Sequence, residues 1–377
     1  MKNLIPLITL LIAFFTCIRI IPVVIRIARE KNLVDEPNHR TSHKRAVPTL
    51  GGIGIYLSFA ITTLFFASYY YIPEYNYLLL GMMILFFLGI KDDILELSAK
   101  KKLAGQVIAA LLLTIGGDLR LTSLQGVFGV YEINSFLSIA ISAFIFIALI
   151  NAINLIDGID GLASGVGILS LTFFGGCFFL MGHYGWAMLC LAMVGALSAF
   201  FLYNVFGSTN KIFMGDTGSL VLGIFLTAAA FKYIELNSIL ASPFTISYAP
   251  AVVIAVLILP IFDTLRVFSI RIAQRKSPFS PDKNHIHHQL LFLGFNHRKS
   301  TAILLGTTIF FLVFCFLLKN LNINLLIFLI ATTALAFIGV LMTIKKQRSK
   351  KIEPLDIRKL NTKENALEKT QFLERVN

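Results

Sequence analysis

The chain has 377 residues, 56% hydrophobic and 14% charged, with a mean hydropathy of +0.79. Soluble domains carry about 25% charged residues, so the composition excludes an ordinary soluble domain and predicts an all-α, polytopic integral membrane bundle. Lys and Arg number 33 against 20 Asp and Glu, a net charge of +13. In a soluble chain that excess would suggest nucleic acid; here no nucleic-acid partner is expected, because basic residues retained on one face of a membrane account for it.

Apolar runs predict about eleven transmembrane helices, at 4–25, 50–70, 77–91, 102–117, 135–153, 163–181, 186–204, 218–234, 248–270, 301–318 and 322–344. The connections fall into two alternating sets. The set made of 26–49, 91–102, 152–163, 204–219, 271–299 and the tail from 345 holds 27 of the 33 Lys and Arg. That asymmetry puts this set, with the C-terminus, in the cytoplasm and the N-terminus outside. Residues 1–344 then form one membrane unit, and 345–377 form a basic cytoplasmic tail. The first run is too long for a cleaved signal peptide, and its basic cluster follows it. Cys17, Cys177, Cys190 and Cys315 all fall inside runs and read as apolar packing residues.

Almost every unusual polar motif lies in the cytoplasmic set. The first loop ends "RTSHKRAVPTLGGIGIY", where Pro48 and Gly51-Gly52 mark a turn into the second run. Arg40, His43, Lys44 and Arg45 could form an anion site; alone they read as ordinary inside charge. "GIKDDILELSAKKKLAGQ" places Asp92 and Asp93 at the end of the third run. Adjacent carboxylates repel unless a cation is near; the alternative is ordinary polarity at a helix end, with Lys100, Lys101 and Lys102 as simple inside charge. In "NAINLIDGIDGLASG", a helix would bring Asn151, Asn154, Asp157 and Asp160 to one face. Gly158 and Gly161 break that helix and let backbone approach a ligand. Ionisable groups at membrane depth usually face a cavity and serve a function.

Further on, "NVFGSTNKIFMGDTGSLVLG" brackets Asp216 with glycines just before a long apolar helix. A helix N-terminus there offers N–H groups to phosphate, and the aspartate suits a hard cation, although any helix could use it as an N-cap. "RIAQRKSPFSPDKNHIHHQLL" carries Arg271, Arg275, Lys276 and Lys283 ahead of His285, His287 and His288. With no cysteine close by, these imidazoles suit phosphate better than zinc. Asp92, Asp93, Asp157, Asp160 and Asp216 on one face need a divalent cation, and oxygen-only ligands point to Mg²⁺, or Mn²⁺. A dication, phosphate-binding groups and a site at the membrane rim together suggest phosphoryl chemistry on a lipid.

These motifs come in order over about residues 40–300, and with them the chain resembles the polyprenyl-phosphate N-acetylhexosamine-1-phosphate transferase family. "HIHH" looks like the branch that uses UDP-N-acetylglucosamine. "GSTNKIF" at 207–213 departs from relatives that often carry a proline before the apolar pair, which leaves the shape of that loop open. The resemblance implies an Mg²⁺-dependent enzyme of the inner (plasma) membrane, with its active site on the cytoplasmic face. Its partners would be a UDP-N-acetylhexosamine, undecaprenyl phosphate and membrane lipid, with a homodimer left open. Undecaprenyl phosphate would attack the β-phosphorus and UMP would leave. By similarity Asp216 binds the metal, with Asn154 as a second ligand or substrate contact. Asp92 and Asp93 look like the pair that deprotonates or positions the lipid phosphate, and Asp157 and Asp160 match acids near the nucleotide. Phe213 lies where the family stacks uracil. Lys44, Arg271, His285, His287 and His288 match groups around the diphosphate and sugar.

Two rivals stand beside this expectation. One is the same chemistry on another UDP-sugar or on the muramoyl-pentapeptide nucleotide. The other is an anion transporter, against which the one-faced polar cluster and the lack of a repeat argue.

Overall fold

The computed structural model describes residues 2–35, 46–239, 242–275 and 284–348. In chain order the described elements are α1 (Ile5–Glu30), β1 (Val34–Asp35), β2 (Val47–Pro48), α2 (Gly51–Phe66), α3 (Tyr75–Leu95), α4 (Ala99–Leu111), α5 (Ser135–Ile156), α6 (Leu162–Leu180), α7 (Tyr184–Phe201), α8 (Gly215–Ile239), α9 (Ala249–Val256), α10 (Ile258–Ala273), α11 (Ile286–Phe292) and α12 (His297–Leu317), followed by α13 (Ile323–Arg348). The two strands form a short antiparallel pair, Val34 opposite Pro48. Otherwise the described chain is helical, as its composition predicts.

Eight helices are long and apolar enough to cross a membrane: α1, α2, α5, α6, α7, α8, α12 and α13. The run expected at 248–270 is broken: α9 and α10 meet at 74° and together make a ninth candidate. The runs at 77–91 and 102–117 form α3 and α4, which fall outside that set. α4 has only 13 residues and carries Lys100, Lys101 and Lys102 in its first turn, and α3 carries Lys91, Asp92 and Asp93 near its end. The protein is a polytopic helical membrane protein. α13 continues past 344 to Arg348, and the rest of the expected tail lies outside the described residues.

α8 is the central post. Residues all round it are buried, from Thr217 through Phe225 to Leu236, and a helix apolar on every side belongs inside. α2, α3, α5 and α6 pack around it. Large apolar side chains such as Phe15, Phe65, Phe136, Phe144, Leu317 and Phe328 face outward, where lipid replaces water as the favourable solvent. The four cysteines are free, with three buried and Cys177 half-buried, in keeping with a packing role. The ends of α3 and α5 and the start of α8 meet at one end of this bundle, and the polar motifs ride on those ends.

Candidate active site

The first turn of α8 is the keystone. Gly215 takes φ +70, a left-handed conformation costly for any residue with a Cβ, and a Cβ there would collide with the Thr49 carbonyl. The Gly51 and Gly52 N–H groups donate to the carbonyls of Phe213 (2.9 Å) and Met214 (2.9 Å), and the Phe213 N–H donates to the Pro48 carbonyl (2.8 Å). The "PTLGG" turn and the "IFMGD" turn are therefore zipped together by backbone, and Asp216 is carried at the end of the zip.

Asp93 serves this helix end. Its Oδ1 accepts from the Asp216 N–H (2.8 Å), and its Oδ2 accepts from the N–H (3.1 Å) and hydroxyl (2.6 Å) of Thr217. It is a cap supplied from another helix, satisfying donors that α8 cannot satisfy itself. Asp92 faces elsewhere. Its Oδ1 accepts from the Leu97 N–H (2.6 Å), and its Oδ2 pairs with Lys102. Lys102 Nζ also lies 2.5 Å from Asp216 Oδ2, so one ammonium holds two carboxylates together. Lys102 is thus part of the site rather than simple inside charge. Nothing in the sequence separates it from Lys100 and Lys101.

The expected helical row 151–160 is not a single row. α5 stops at Ile156 and the chain turns through 157–161, where Gly158 and Gly161 end the helix. Asn151 bonds to Gln106 on α4 (2.8 Å) and acts as interhelical glue. Asn154 donates to Asp216 Oδ1 (2.8 Å) and Ser219 Oγ (2.8 Å). Asp160 Oδ2 lies 2.6 Å from Lys211 Nζ and 3.1 Å from His297 Nδ1. Burial acts to raise its carboxyl, but the contacts with His297 and Lys211 outweigh that and hold it below the usual range. Asp157 has the opposite environment. Burial first, then the charges of Asp216, Asp93 and Asp160, push it well above the ordinary value.

Several of these groups wall a cavity of about 910 Å³, among them Asn154, Asp157, Asp160, Phe213, Asp216 and His288, while Asp92 and Lys102 stand outside that wall. Asp93 and His297 also reach its wall. His285 and His287 stand behind His288 and are 4% and 2% exposed. Burial, followed by neighbouring His288, pulls His287 down to about 3, so it is a neutral imidazole at working pH. A Cβ on Gly158 would collide with His287 Nε2, so this glycine lets the ring reach the 157–161 turn. Arg271 is buried in the last turn of α10, 5.9 Å from the Phe268 ring, away from the cavity wall. Lys44 lies outside the described residues.

Among the described residues no three His, Cys, Asp or Glu side chains form a metal cage. Mg²⁺ needs less, because one or two carboxylates suffice when phosphate oxygens and water complete its shell. Asp216 and Asp92 converge on one ammonium, which stands in for a cation; the Ser219 hydroxyl and the Asn154 amide lie beside Asp216, the amide with its N–H₂ turned to the carboxylate, so a flip of that amide would offer Oδ1 to an ion. That donor set, all oxygen with no thiolate or imidazole, suits a hard dication better than zinc.

Residues outside the expected set complete the site. Lys102, Lys211 and His297 hold its carboxylates, and Asn204 Oδ1 accepts from the Gly161 N–H (2.6 Å) to fix the turn. Asp263 lies behind the histidines. Its signal was an acid three residues before Arg266 inside an apolar run, a pairing expected only with a purpose.

A cavity lined by acids, held by lysines and set at one end of a membrane bundle defines a class of membrane enzyme acting on charged substrates. The model of glycosyl transferase family 4 matches residues 75–234. An undecaprenyl-phosphate alpha-N-acetylglucosaminyl 1-phosphate transferase of Escherichia coli K12 is 31% identical over 282 residues, 74% of each chain. The enzyme of that name from Salmonella typhi is 32% identical over 286 residues, again 74% of each. A probable undecaprenyl-phosphate N-acetylglucosaminyl 1-phosphate transferase of Bacillus subtilis 168 is 29% identical over 325 residues, 85% of this chain and 87% of the relative. This chain belongs to glycosyl transferase family 4, among its polyprenyl-phosphate sugar-1-phosphate transferases.

Proposed function

We propose that the protein transfers N-acetylglucosamine-1-phosphate from UDP-N-acetylglucosamine to undecaprenyl phosphate, releasing UMP and leaving a lipid-linked sugar diphosphate that starts an envelope glycan. The observation that carries this reading is the convergence of Asn154, Asp157, Asp216, Phe213 and His288 on one cavity at a single end of the bundle. The names of the relatives supply the acceptor and the sugar.

A lipid phosphate oxygen attacks the β-phosphorus. A new P–O bond forms, the bond from that phosphorus to the bridging oxygen breaks, and its electron pair leaves with UMP. Such transfers depend on positioning and charge neutralisation more than on a covalent intermediate, which favours a single displacement. Asp216, Asp92 and Asn154 would hold Mg²⁺, or Mn²⁺ by the same donor chemistry, and the ion supplies charge neutralisation at the diphosphate. Asp92 and Lys102 flank the lipid phosphate. Asp93 keeps Asp216 in place, since both its oxygens are taken by α8. Asp160 is anchored by Lys211 and His297, leaving Asp157 as the acid able to exchange a proton in the cavity. Phe213 stacks on uracil, and His288 faces the diphosphate and sugar from the cavity wall with His285 and His287 behind it; the roles of Lys44 and Arg271 rest on the family resemblance alone.

The site faces the cytosol, where UDP-sugars are found. This places the N-terminus outside, uses eleven spans that include α3, α4 and the bent α9–α10 pair, and sets the protein in the inner (plasma) membrane. A panel of UDP-sugars incubated with the purified protein, undecaprenyl phosphate and Mg²⁺ tests the reading. UMP should appear with UDP-N-acetylglucosamine ahead of the others. Passage of a UDP-sugar across liposomes with no UMP formed would instead mark a transporter.

A further inference from the structure

Asp263 lies on α10, 3% exposed, and no part of the mechanism above uses it. A carboxylate so buried is costly unless donors converge on it, and here they do. Its Oδ1 accepts from the Ile286 N–H (2.9 Å) and from Arg266 Nη2 (2.9 Å), and its Oδ2 lies 2.9 Å from His285 Nδ1. Arg266 also donates to the Asn284 carbonyl. One carboxylate thus ties α10 to both the backbone and the ring at the start of the histidine motif, 22 residues away.

A carboxylate only accepts, so Nδ1 of His285 carries the proton and the carboxylate sets the ring's tautomer. The ring's plane is fixed by the same bond. From there the rings form a row. His285 stacks on His287 at 5.7 Å and 11°, and His287 lies 4.3 Å from His288, which forms part of the cavity wall. We propose that Asp263 is a positioning residue for the transfer reaction: it sets the tautomer and plane of His285 and, through the stacked rings, the place of the whole histidine row against the diphosphate. The inference rests on the transferase reading. It adds that the row works only when held from behind, much as the partner on the far nitrogen of a metal-bound histidine orients that ring.

The test is a double-mutant cycle on the purified full chain in mixed micelles, using wild type, Asp263→Asn, His285→Gln and the double variant. UMP release from UDP-N-acetylglucosamine is followed, with kcat and KM taken separately. Asp263→Asn should lower kcat by about tenfold or more, the scale seen when an orienting partner is lost, with KM changed less than about threefold. On the His285→Gln background it should cost less than about twofold, because the two act as a unit. Asp263→Glu, which keeps the carboxylate, should recover part of the loss. Multiplicative losses in the double variant, or a wild-type kcat for Asp263→Asn, would overturn the proposal. If Asp263→Asn does not elute as a folded species, Asp263→Glu takes its place and only its coupling to His285→Gln is read, where multiplicative losses would again overturn the proposal. A wild-type protein that releases no UMP from any UDP-sugar counts against the transferase reading instead. Coupling is then read from the thermal midpoints of the four proteins, where simple additivity would overturn the tie between Asp263 and His285.

Discussion

Asp157 illustrates how one carboxyl is tuned by its surroundings. Burial and three neighbouring carboxylates raise it, so the folded protein binds its proton more tightly than the unfolded chain does. Stability from this group is therefore present at low pH and is lost as pH rises above about 3.9, the ordinary carboxylate value. Asp157→Asn removes that dependence. Without metal, its thermal midpoint at neutral pH should exceed that of the wild type by a few degrees, while UMP release falls by about 100-fold or more. A midpoint below wild type would mean that the acidic wall is not under repulsion. Gly158 makes the adjoining prediction. Gly158→Ala should leave the protein folded in detergent yet cut kcat about tenfold or more, because the new methyl displaces His287 from the turn. Unchanged kcat would show that the ring's position against 157–161 is immaterial.

At the scale of elements, the site depends on how the start of α8 is held. Three donors of its first turn are met by Asp93, and Gly215 adopts a backbone conformation that alanine resists. Gly215→Ala should cost about 1–3 kcal/mol, read as a lower thermal midpoint together with a loss of activity. Asp93→Asn keeps the shape but offers an N–H₂ to donors already present. It too should destabilise the fold, whereas a group acting only in chemistry would leave the melt unchanged. Much of this was legible beforehand. In so apolar a chain, Asp157, Asp216 and the histidines stand out, Phe213 is marked by the family resemblance alone, and the structure gathers them or sets them in adjoining rows. The even spacing of Asn151 to Asp160 misled, because glycines at 158 and 161 end the helix and turn Asp160 to Lys211. Lys102 could not be told from its two neighbours, and Asp263, visible only as an acid three residues before Arg266, lay in an apolar run whose bend at 257 the hydropathy pattern does not register.

At the scale of the molecule, α8 as a buried post, with the ends of α3 and α5 beside its start, puts every active carboxylate at one end of the bundle. That arrangement carries a topological prediction. A cysteine introduced at Tyr71, 92% exposed between α2 and α3, should react with a membrane-impermeant maleimide on intact cells. One at Lys101, in the first turn of α4, should react only after the membrane is opened. The reverse pattern would place the cavity on the outer face, away from the UDP-sugar. The central claim is that this acidic wall performs phosphoryl transfer to a lipid when a hard dication neutralises it. The most direct measurement is UMP release from UDP-N-acetylglucosamine and undecaprenyl phosphate by the purified protein, first in excess chelator and then with Mg²⁺ restored. UMP should be absent in chelator, return with Mg²⁺, and stay absent for Asp216→Ala under both conditions; equal turnover with and without chelator would contradict the account.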